Sequence, residues 1–299
     1  MLEEVSGLIR LEVDGVACVA YPRLTGEVEV GDEVLVNEQA RLLELGSGGF
    51  DVLYANLTRG LGLEPEEGAH VMALPYTPGQ VTVCYKEESD ALADELDGLP
   101  VVLCMLHSQV APVCAALAGV RAAYVQVAGG ALPASLSDAV RTLKQRGLVE
   151  VACAVAPCFD GDAQFVTVAA ALAWAKEQGY DAVVCSVGPG IVGTGTRLGH
   201  GALSLAEAAN VANALGGRPV LAVRTSDADP RERHRGVSHH TQAVLDLCLG
   251  EVVLAADDDG EGWEKACAGL PLSHMGRGPD EDPAFFRAAF AAGVVAQRA

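Results

Sequence analysis

The stretch "DAVVCSVGPGIVGTG", residues 181–195, decides the fold. It begins with a short apolar run, and glycines follow the run at once. Such a run, bounded by turn residues, is typical of a strand that is buried on both faces of a parallel sheet. We therefore expect residues 181–187 to form a strand and residues 188–201 to form a loop at its carboxyl end.

Further apolar runs repeat this pattern along the chain. They occupy residues 100–106, 122–127, 150–156, 218–224 and 251–256. Amphipathic segments such as "SLSDAVRTLKQRG" and "SLAEAANVANALGG" lie between them and end in glycine, as helices do. This alternation predicts a doubly wound α/β domain with a mostly parallel sheet. The segment "KEESDALADELDG", residues 86–98, predicts a helix that leads into the first of these strands.

The first 82 residues follow a different pattern. Short alternating segments are separated by Gly and Pro, with turn signals at Asp14-Gly15 and at Gly31-Asp32. We predict a small antiparallel β-barrel or sandwich over residues 1–82 and the α/β domain over residues 83–299. The N-terminal domain holds no cluster of His, Cys and carboxylates, so we interpret it as a structural module or as the contact of a homo-oligomer.

The composition excludes several classes of partner. The net charge is -20, from 40 acidic and 20 basic residues, which disfavours nucleic acid and anionic membrane surfaces. No apolar run reaches the roughly 18 residues of a membrane span, and no signal peptide pattern is present. We expect a cytoplasmic protein. The nine cysteines form no C-x-x-C pair and are expected to be buried, although Cys158 in "APCFDGD" is a candidate for exposure and reactivity.

The segments that follow the predicted strands carry the unusual residues. In a doubly wound sheet, ligands bind outside the carboxyl ends of the strands. Five of the seven histidines fall at this edge, whereas the opposite loops, such as "AGV" and "GGRP", are short and plain. These histidines are His107, His200, His234, His239 and His240. The asymmetry predicts a binding site at the carboxyl edge.

The glycine-rich loop admits two interpretations. "GPGIVG" at residues 188–193 matches the dinucleotide fingerprint G-x-G-x-x-G, but that fingerprint should open a helix, and further glycines here keep the backbone irregular until about Ser204. An NAD(P)-dependent oxidoreductase is therefore a weak alternative. The loop is either a cradle for an anion or a tightly turned structural loop. The cradle residues would be Gly188, Gly190, Gly193, Thr194, Gly195, Thr196 and Arg197.

The segment "RTSDADPRERHRGVSHHT", residues 224–241, gathers arginines and histidines in an acidic chain. Arg231, Arg233 and Arg235 are suited to holding phosphate or carboxylate, together with Arg224. Ser238 is expected to cap a helix, where the dipole and the arginines keep His239 and His240 neutral. The predicted catalytic residues are His239, His240, His234, His107, Asp227 and Asp229. The alternative is a surface loop with internal salt bridges.

A metal and a serine nucleophile are both weaker possibilities. The histidines and aspartates of these loops could bind a divalent metal, but no motif such as H-E-x-x-H occurs, and Asp160 and Asp162 are weak candidates for Mg²⁺. Ser108 in "LHSQ" lies at a strand-to-helix turn, yet the glycines of G-x-S-x-G are missing. We therefore expect Ser108 to bind the ligand rather than to attack it.

Several stretches resemble an uncharacterised bacterial protein family, domain of unknown function 3866. They are "LHSQVAP", "GPGIVGTGTRLG", "DPRERHRGVSHHT" and "SHMGRGPDEDPAFFRAAFAAG", and the likeness spans nearly the whole chain. The family has no assigned activity, so the resemblance implies no reaction. It implies that His274 and Arg277 of the tail belong to the site. At "APCFDGDAQ" the chain lacks the Gly- and His-rich loop that the resemblance implies, which weakens any role for Cys158.

These patterns together predict a cytosolic enzyme that acts on a small phosphorylated or carboxylated metabolite by hydrolysis or group transfer. The arginines and the glycine loop would hold the anion, and His239 or His240 would act as acid and base. The alternative is a non-catalytic nucleotide or anion sensor, because no nucleophile is recognisable in the sequence.

Overall fold

A computed structural model describes residues 3–43 and 49–298 of the chain. The chain divides into two compact units, one ending at Cys84 and the other beginning at Tyr85. This division lies two residues beyond the boundary predicted from the change of sequence pattern.

The N-terminal unit is a small, largely antiparallel β domain. Its strands are β1 (Glu3–Val5), β2 (Leu8–Val13), β3 (Val16–Ala20), β4 (Val34–Asn37), β5 (Asp51–Asn56), β6 (Val71–Ala73) and β7 (Val81–Val83), and its helices are α1 (Pro22–Thr25) and α2 (Gln39–Leu42). The order β1-β2-β3-β5-β4 forms one sheet, in which only β3 and β5 are parallel, and β6 pairs with β7. The sheet is open, with β1 and β4 at its edges, rather than a closed barrel.

The two predicted turns of this unit have different outcomes. Asp14 and Gly15 have φ values of 50° and 83°, as a two-residue hairpin turn requires, so the first prediction is confirmed. Residues 27–30, expected to form a strand before Gly31, do not form one. The Asp32 carboxylate accepts hydrogen bonds from the backbone N–H of Glu29 and from Asn56, so side-chain bonds replace the strand ladder there.

The predicted helix over residues 86–98 is wrong. Only a 3₁₀ turn forms, at Lys86–Glu88. The backbone N–H groups of Leu96 and Gly98 donate to the carbonyls of Leu215 and Gly216, in a different part of the unit. Leu96 is fully buried, so tertiary packing overrides the local helical pattern.

The second unit is built on a seven-stranded, all-parallel sheet. Its strands are β8 (Pro100–Cys104), β9 (Ala122–Val127), β10 (Val151–Val155), β11 (Ala163–Phe165), β12 (Ala182–Val187), β13 (Arg218–Ala222) and β16 (Val253–Leu254). Their order is β11-β10-β9-β12-β8-β13-β16, and Cys185 of β12 pairs with Leu103 on one side and Val125 on the other. All the predicted apolar runs are strands, whereas the short β11 was not foreseen. A two-stranded ribbon of β14 (Thr225–Ser226) and β15 (Gly236–Val237) lies within the arginine-rich segment.

Helices cover both faces of this sheet. They are α3 (Val110–Ala116), α4 (Asp138–Gln145), α5 (Val168–Glu177), α6 (Ser204–Ala214), α7 (His239–Leu245), α8 (Trp263–Ala266) and α9 (Pro283–Gln297). Helices α3, α4, α8 and α9 pack on one face, and α5, α6 and α7 pack on the other. The predicted doubly wound α/β fold is confirmed. Within residues 3–43 and 49–298, no helix combines the length and apolar character needed to cross a bilayer.

The strand order has a topological switch point between β8 and β12. β8 lies next to β12, but the helix after β8 packs on one face and the helix after β12 packs on the other. Chains that leave neighbouring strands toward opposite faces separate, and ligands of doubly wound proteins bind in the gap. The segments that follow β8, β12 and β13 therefore share this edge.

Candidate functional site

The arginine-rich segment forms the ribbon β14–β15 with a 3₁₀ turn, Glu232–His234, between the strands. It ends at Ser238, whose side chain accepts a hydrogen bond of 3.2 Å from the backbone N–H of His240. The predicted N-cap is confirmed. His239 and His240 consequently occupy the first turn of α7.

The buried carboxylate of Asp229 forms ion pairs with three arginines. Arg231 donates two hydrogen bonds to it, of 2.9 and 2.8 Å. The Nη2 atoms of Arg224 and Arg277 lie 3.8 and 3.6 Å from its Oδ2. The hydrogen bonds from Arg231 hold the pKa of Asp229 well below its usual range despite burial. Asp229 therefore favours the charged form and pairs with the arginines, and its predicted catalytic role stays a prediction.

A second buried carboxylate, Asp282, completes this arrangement. It accepts hydrogen bonds from Ser226 Oγ at 2.6 Å and from Arg277 Nε at 3.2 Å. We call Arg224, Arg231, Arg277, Asp229 and Asp282 the arginine cluster. Its three guanidinium groups face two carboxylates, which leaves one formal positive charge in excess.

Some donors of the arginine cluster are not satisfied. Among the described residues, Arg224 Nε and Arg277 Nη2 are buried and have no hydrogen-bond partner. Burial lowers the pKa of Arg224 to about 10, so its guanidinium is still charged at neutral pH. Buried donors in proteins are nearly always paired, and an anion is the natural acceptor for a guanidinium. The cluster is therefore suited to binding a small anion.

Four histidines pack together beside the arginine cluster. We call His200, His234, His239 and His240 the histidine cluster. The rings of His200 and His240 stack at a centroid distance of 3.7 Å, and those of His239 and His240 lie 4.4 Å apart. One ring nitrogen from each of His234, His239 and His240 lies within 4.8 Å of the others, so these three could hold a metal ion.

Burial keeps these imidazoles neutral. It lowers the pKa of His234 to about 3 and that of His240 to about 2, and the charge of Arg224 acts in the same direction. Arg224 Nη1 donates to Nδ1 of His240 at 2.9 Å, and His234 Nδ1 lies 2.7 Å from Ser238 Oγ. Nε2 of His239 is buried without a hydrogen-bond partner in the described part of the chain. The neutrality predicted from the sequence holds, with desolvation as its main cause.

His107 does not join the histidine cluster through any ring contact of the described residues. Its Nδ1 lies 3.2 Å from the carbonyl of Val187 and its Nε2 lies 2.6 Å from Ser137 Oγ. A carbonyl only accepts, so Nδ1 carries the proton and Nε2 accepts from the hydroxyl. Burial lowers its pKa to about 4. His107 thus links β8, β12 and the N-cap of α4, and its predicted catalytic role stays a prediction.

The tail brings His274 to the loop after β8. Nδ1 of His274 lies 3.3 Å from Ser108 Oγ, and its ring stacks on Phe285 at 3.7 Å. Burial lowers its pKa to about 4, and its Nε2 has no hydrogen-bond partner among the described residues. A tight turn pairs His274 with Arg277 through two backbone hydrogen bonds. The structure thus places both tail residues named by the resemblance beside Asp229 or Ser108.

The glycines after β12 serve backbone packing. A Cβ on Gly188 would lie 2.1 Å from the Ala131 carbonyl oxygen, and one on Gly201 would lie 2.0 Å from that of Gly129. Two backbone hydrogen bonds also join these loops. A helix starts only at Ser204, so "GPGIVG" does not open one, and the dinucleotide fingerprint lacks its structural context. These contacts support the interpretation as a structural loop.

The tip of this loop is exposed. The hydroxyls of Thr194 and Thr196 bond to each other at 2.8 Å, and Arg197 pairs with Asp246 of α7 at 2.5 Å. The chain then folds back, and an antiparallel β-bridge joins Gly193 to His200, which belongs to the histidine cluster. The loop, which includes Gly190 and Gly195, brings His200 to the histidine cluster, and its role as an anion cradle stays a prediction.

The remaining predicted residues lie outside the two clusters. The side chains of Asp227, Arg233 and Arg235 are exposed. Asp162 accepts from Lys144 Nζ through both oxygens, at 2.6 and 2.5 Å, and from the Ala152 N–H, so it does not fit a Mg²⁺ site with Asp160. The interpretation of Asp160 and Asp162 as metal ligands is not supported.

Cys158, the candidate for an exposed and reactive cysteine, is buried like most of the others. Its side chain is 1% exposed, and burial raises the pKa of its thiol to about 12. The loop folds back because β11, which was not foreseen, pairs with β10. The cysteine is enclosed with Ala134 and Ala154.

Sequence reasoning missed Ser226 and Asp282. Asp282 directly precedes Pro283, and an Asp followed by a Pro is a common pattern at the start of a helix. Its bond to Ser226 spans residues far apart in the chain, and no local pattern signals it.

The comparisons with known proteins identify the family of this chain but do not identify an activity. No curated protein and no solved structure matches the chain. A family model described as "Protein of unknown function (DUF3866)" matches residues 17–265, which is more than half of the 299 residues. The chain therefore belongs to the DUF3866 family.

Proposed function

We propose that this chain is a cytoplasmic enzyme that acts on a small phosphorylated or carboxylated metabolite by hydrolysis or group transfer. One observation carries the proposal. The arginine cluster holds one more positive charge than its buried carboxylates neutralise, and the neutral histidine cluster lies directly against it through the bond from Arg224 to His240. Group transfer to or from a charged metabolite needs a site that binds the anion and, next to it, neutral groups that accept protons.

The charge distribution favours a small ligand over a polymer. The chain has a net charge of -20, so its overall field repels polyanions such as nucleic acid. The excess of one positive charge in the arginine cluster suits a small anion such as a phosphate or a carboxylate. Nε of Arg224 and Nη2 of Arg277, which make no hydrogen bond within the described part of the chain, would donate to such an anion.

The imidazoles suited to proton transfer are those with a ring nitrogen that makes no hydrogen bond to the described residues. His239 and His274 both carry a buried Nε2 without a hydrogen-bond partner among the described residues. A neutral imidazole takes a proton from an attacking water or hydroxyl and later returns it to the leaving group. Ser108, in contact with His274, is placed to orient the ligand.

Binding and turnover can be measured on the same samples. Calorimetric titration with inorganic phosphate, sugar phosphates, nucleotides and dicarboxylates identifies the ligand class, and mass spectrometry after several hours shows whether the ligand changes. Arg277→Gln should weaken anion binding about tenfold or more, because one charge-assisted hydrogen bond is lost. Arg121→Gln is the matched control, since Arg121 forms an exposed pair with Glu150 before β9, and it should bind as the wild type does.

The outcomes separate the two classes of function. A ligand that is converted by the wild type and not by His274→Asn supports the enzyme. A ligand that binds tightly and stays unchanged overturns the enzyme and supports the anion sensor. Equal affinity of Arg277→Gln and Arg121→Gln would show that the anion binds elsewhere.

A further inference from the structure

The histidine cluster has a geometry that proton transfer alone does not require. His234 comes from the 3₁₀ turn, whereas His239 and His240 are consecutive residues at the start of α7. One nitrogen of each lies within 4.8 Å of the other two. The ring centroids of His234 lie 5.0 Å from His239 and 4.9 Å from His240. Proton transfer needs one such ring, but three converging rings are the usual ligand set of a metal ion.

The surroundings of two of these rings fit a metal. A metal binds imidazole through a ring nitrogen that carries no proton. His234 Nδ1 lies 2.7 Å from Ser238 Oγ, which leaves Nε2 for a ligand, and such an outer-shell bond is typical of metal-binding histidines. Nε2 of His239 is buried without a hydrogen-bond partner in the described part of the chain, and a bound ion would satisfy it.

We propose that His234, His239 and His240 bind one divalent transition-metal ion of the Zn²⁺ or Co²⁺ class. Nitrogen ligands favour these ions over Mg²⁺ or Ca²⁺, and three protein ligands leave a position for water or substrate. Metal binding itself does not depend on the proposed function. A catalytic role for the metal does rest on the proposed function: water bound to the metal would become the attacking group, and His274 would transfer the proton.

Metal binding changes the contact between Arg224 and His240. At present the guanidinium donates to Nδ1 of His240, so Nδ1 carries no proton. Coordination through Nδ1 displaces Arg224, and coordination through Nε2 moves the ring proton to Nδ1. Either way this hydrogen bond ends, and Arg224 Nη1 becomes available to an anion.

This exchange couples the metal to the anion. The metal adds two positive charges next to a cluster that already has one in excess, so an anion relieves the repulsion between the metal and the arginines. Coupling of two ligands is reciprocal, so phosphate must strengthen metal binding by the same factor as the metal strengthens phosphate binding.

The test uses the full-length protein after chelation. Titration with Co²⁺, followed by visible absorption, should give one ion per chain with the intense bands of a four-coordinate site. His239→Asn and His234→Asn should each bind Co²⁺ at least tenfold more weakly. His70→Asn, in the N-terminal unit, is the matched control and should bind as the wild type does. Inorganic phosphate should raise the Co²⁺ affinity of the wild type.

Several results would overturn the proposal. No Co²⁺ binding by the wild type at millimolar metal does so, and so does equal binding by His239→Asn. If the variants fail to fold, X-ray absorption at the cobalt edge of the wild type decides, because fewer than three imidazole ligands contradict the site. Phosphate binding without any metal binding would remove this inference alone, whereas metal binding without any anion binding would remove the proposed function alone.

Discussion

Nη2 of Arg277 lies 3.6 Å from Oδ2 of Asp229, so the tail of the chain contacts the segment that follows β13. Arg277 also donates to Asp282, which itself accepts from Ser226 of β14. Two distant parts of the sequence are thus joined by buried charged groups. The position of the arginines depends on the two carboxylates as much as on the backbone.

Asp229→Asn should destabilise the protein by about 3 kcal/mol, because removing one partner of a buried ion pair leaves the other charge uncompensated. Here three guanidinium groups would face one remaining carboxylate. Denaturant unfolding at pH 7.5 measures the change. Asp246→Asn, which removes the partner of the exposed Arg197, is the control and should unfold at the wild-type midpoint. Equal midpoints for both variants would contradict the central role of Asp229.

Gly201→Ala should destabilise the protein by about 2 kcal/mol through overpacking. The added Cβ would lie 2.0 Å from the carbonyl oxygen of Gly129, and backbone on both sides must move. Gly195→Ala is the matched substitution in the same loop, where a Cβ meets nothing within 4 Å. Thermal unfolding of the pair compares a packed glycine with a free one. Similar losses in both variants would show that the loop needs glycine for flexibility instead.

Stability should fall as the pH drops from about 6.5 toward 4. Burial lowers the pKa of His107 to about 4 from an ordinary 6.5, so in this window the unfolded chain binds a proton that the native protein does not. The free energy of unfolding then decreases by about 1.4 kcal/mol per pH unit for each such group.

Denaturant unfolding at several pH values between 7.5 and 4.5 measures this slope. His107→Gln cannot take up the proton and should have a shallower slope than the wild type. A slope that is the same in wild type and His107→Gln would show that His107 is protonated in the native state.

Thiol labelling should report burial rather than reactivity. Of the nine cysteines, Cys84 and Cys248 are partly exposed, whereas Cys158 is buried and has a pKa of about 12. Iodoacetamide on the native protein, with mass spectrometry of peptides, should modify those two first and leave Cys158 unmodified until denaturant is added. Rapid native labelling of Cys158 would contradict its enclosure.

Much of the fold could be predicted from local patterns. A strand of a parallel sheet that is covered on both faces needs apolar side chains at successive positions. Residues 181–187 have this pattern, so the strand could be predicted from neighbouring residues alone. The N-cap at Ser238 was equally local. The helix expected over residues 86–98 fails because Leu96 and Gly98 bond to the chain after α6, and no local pattern contains that information.

The sequence by itself determined which chemical groups gather at the carboxyl edge: guanidinium groups, imidazoles and carboxylates follow the strands there. Only the tertiary structure decided how they pair. Asp229 pairs with arginines, His107 links two strands to the start of α4, and the loop after β12 brings His200 to the other histidines. The physical reason is the order of the strands. Side chains from β8, β12, β13 and the tail meet only because long-range packing places these segments side by side, and a distance between remote residues cannot be read from either one alone.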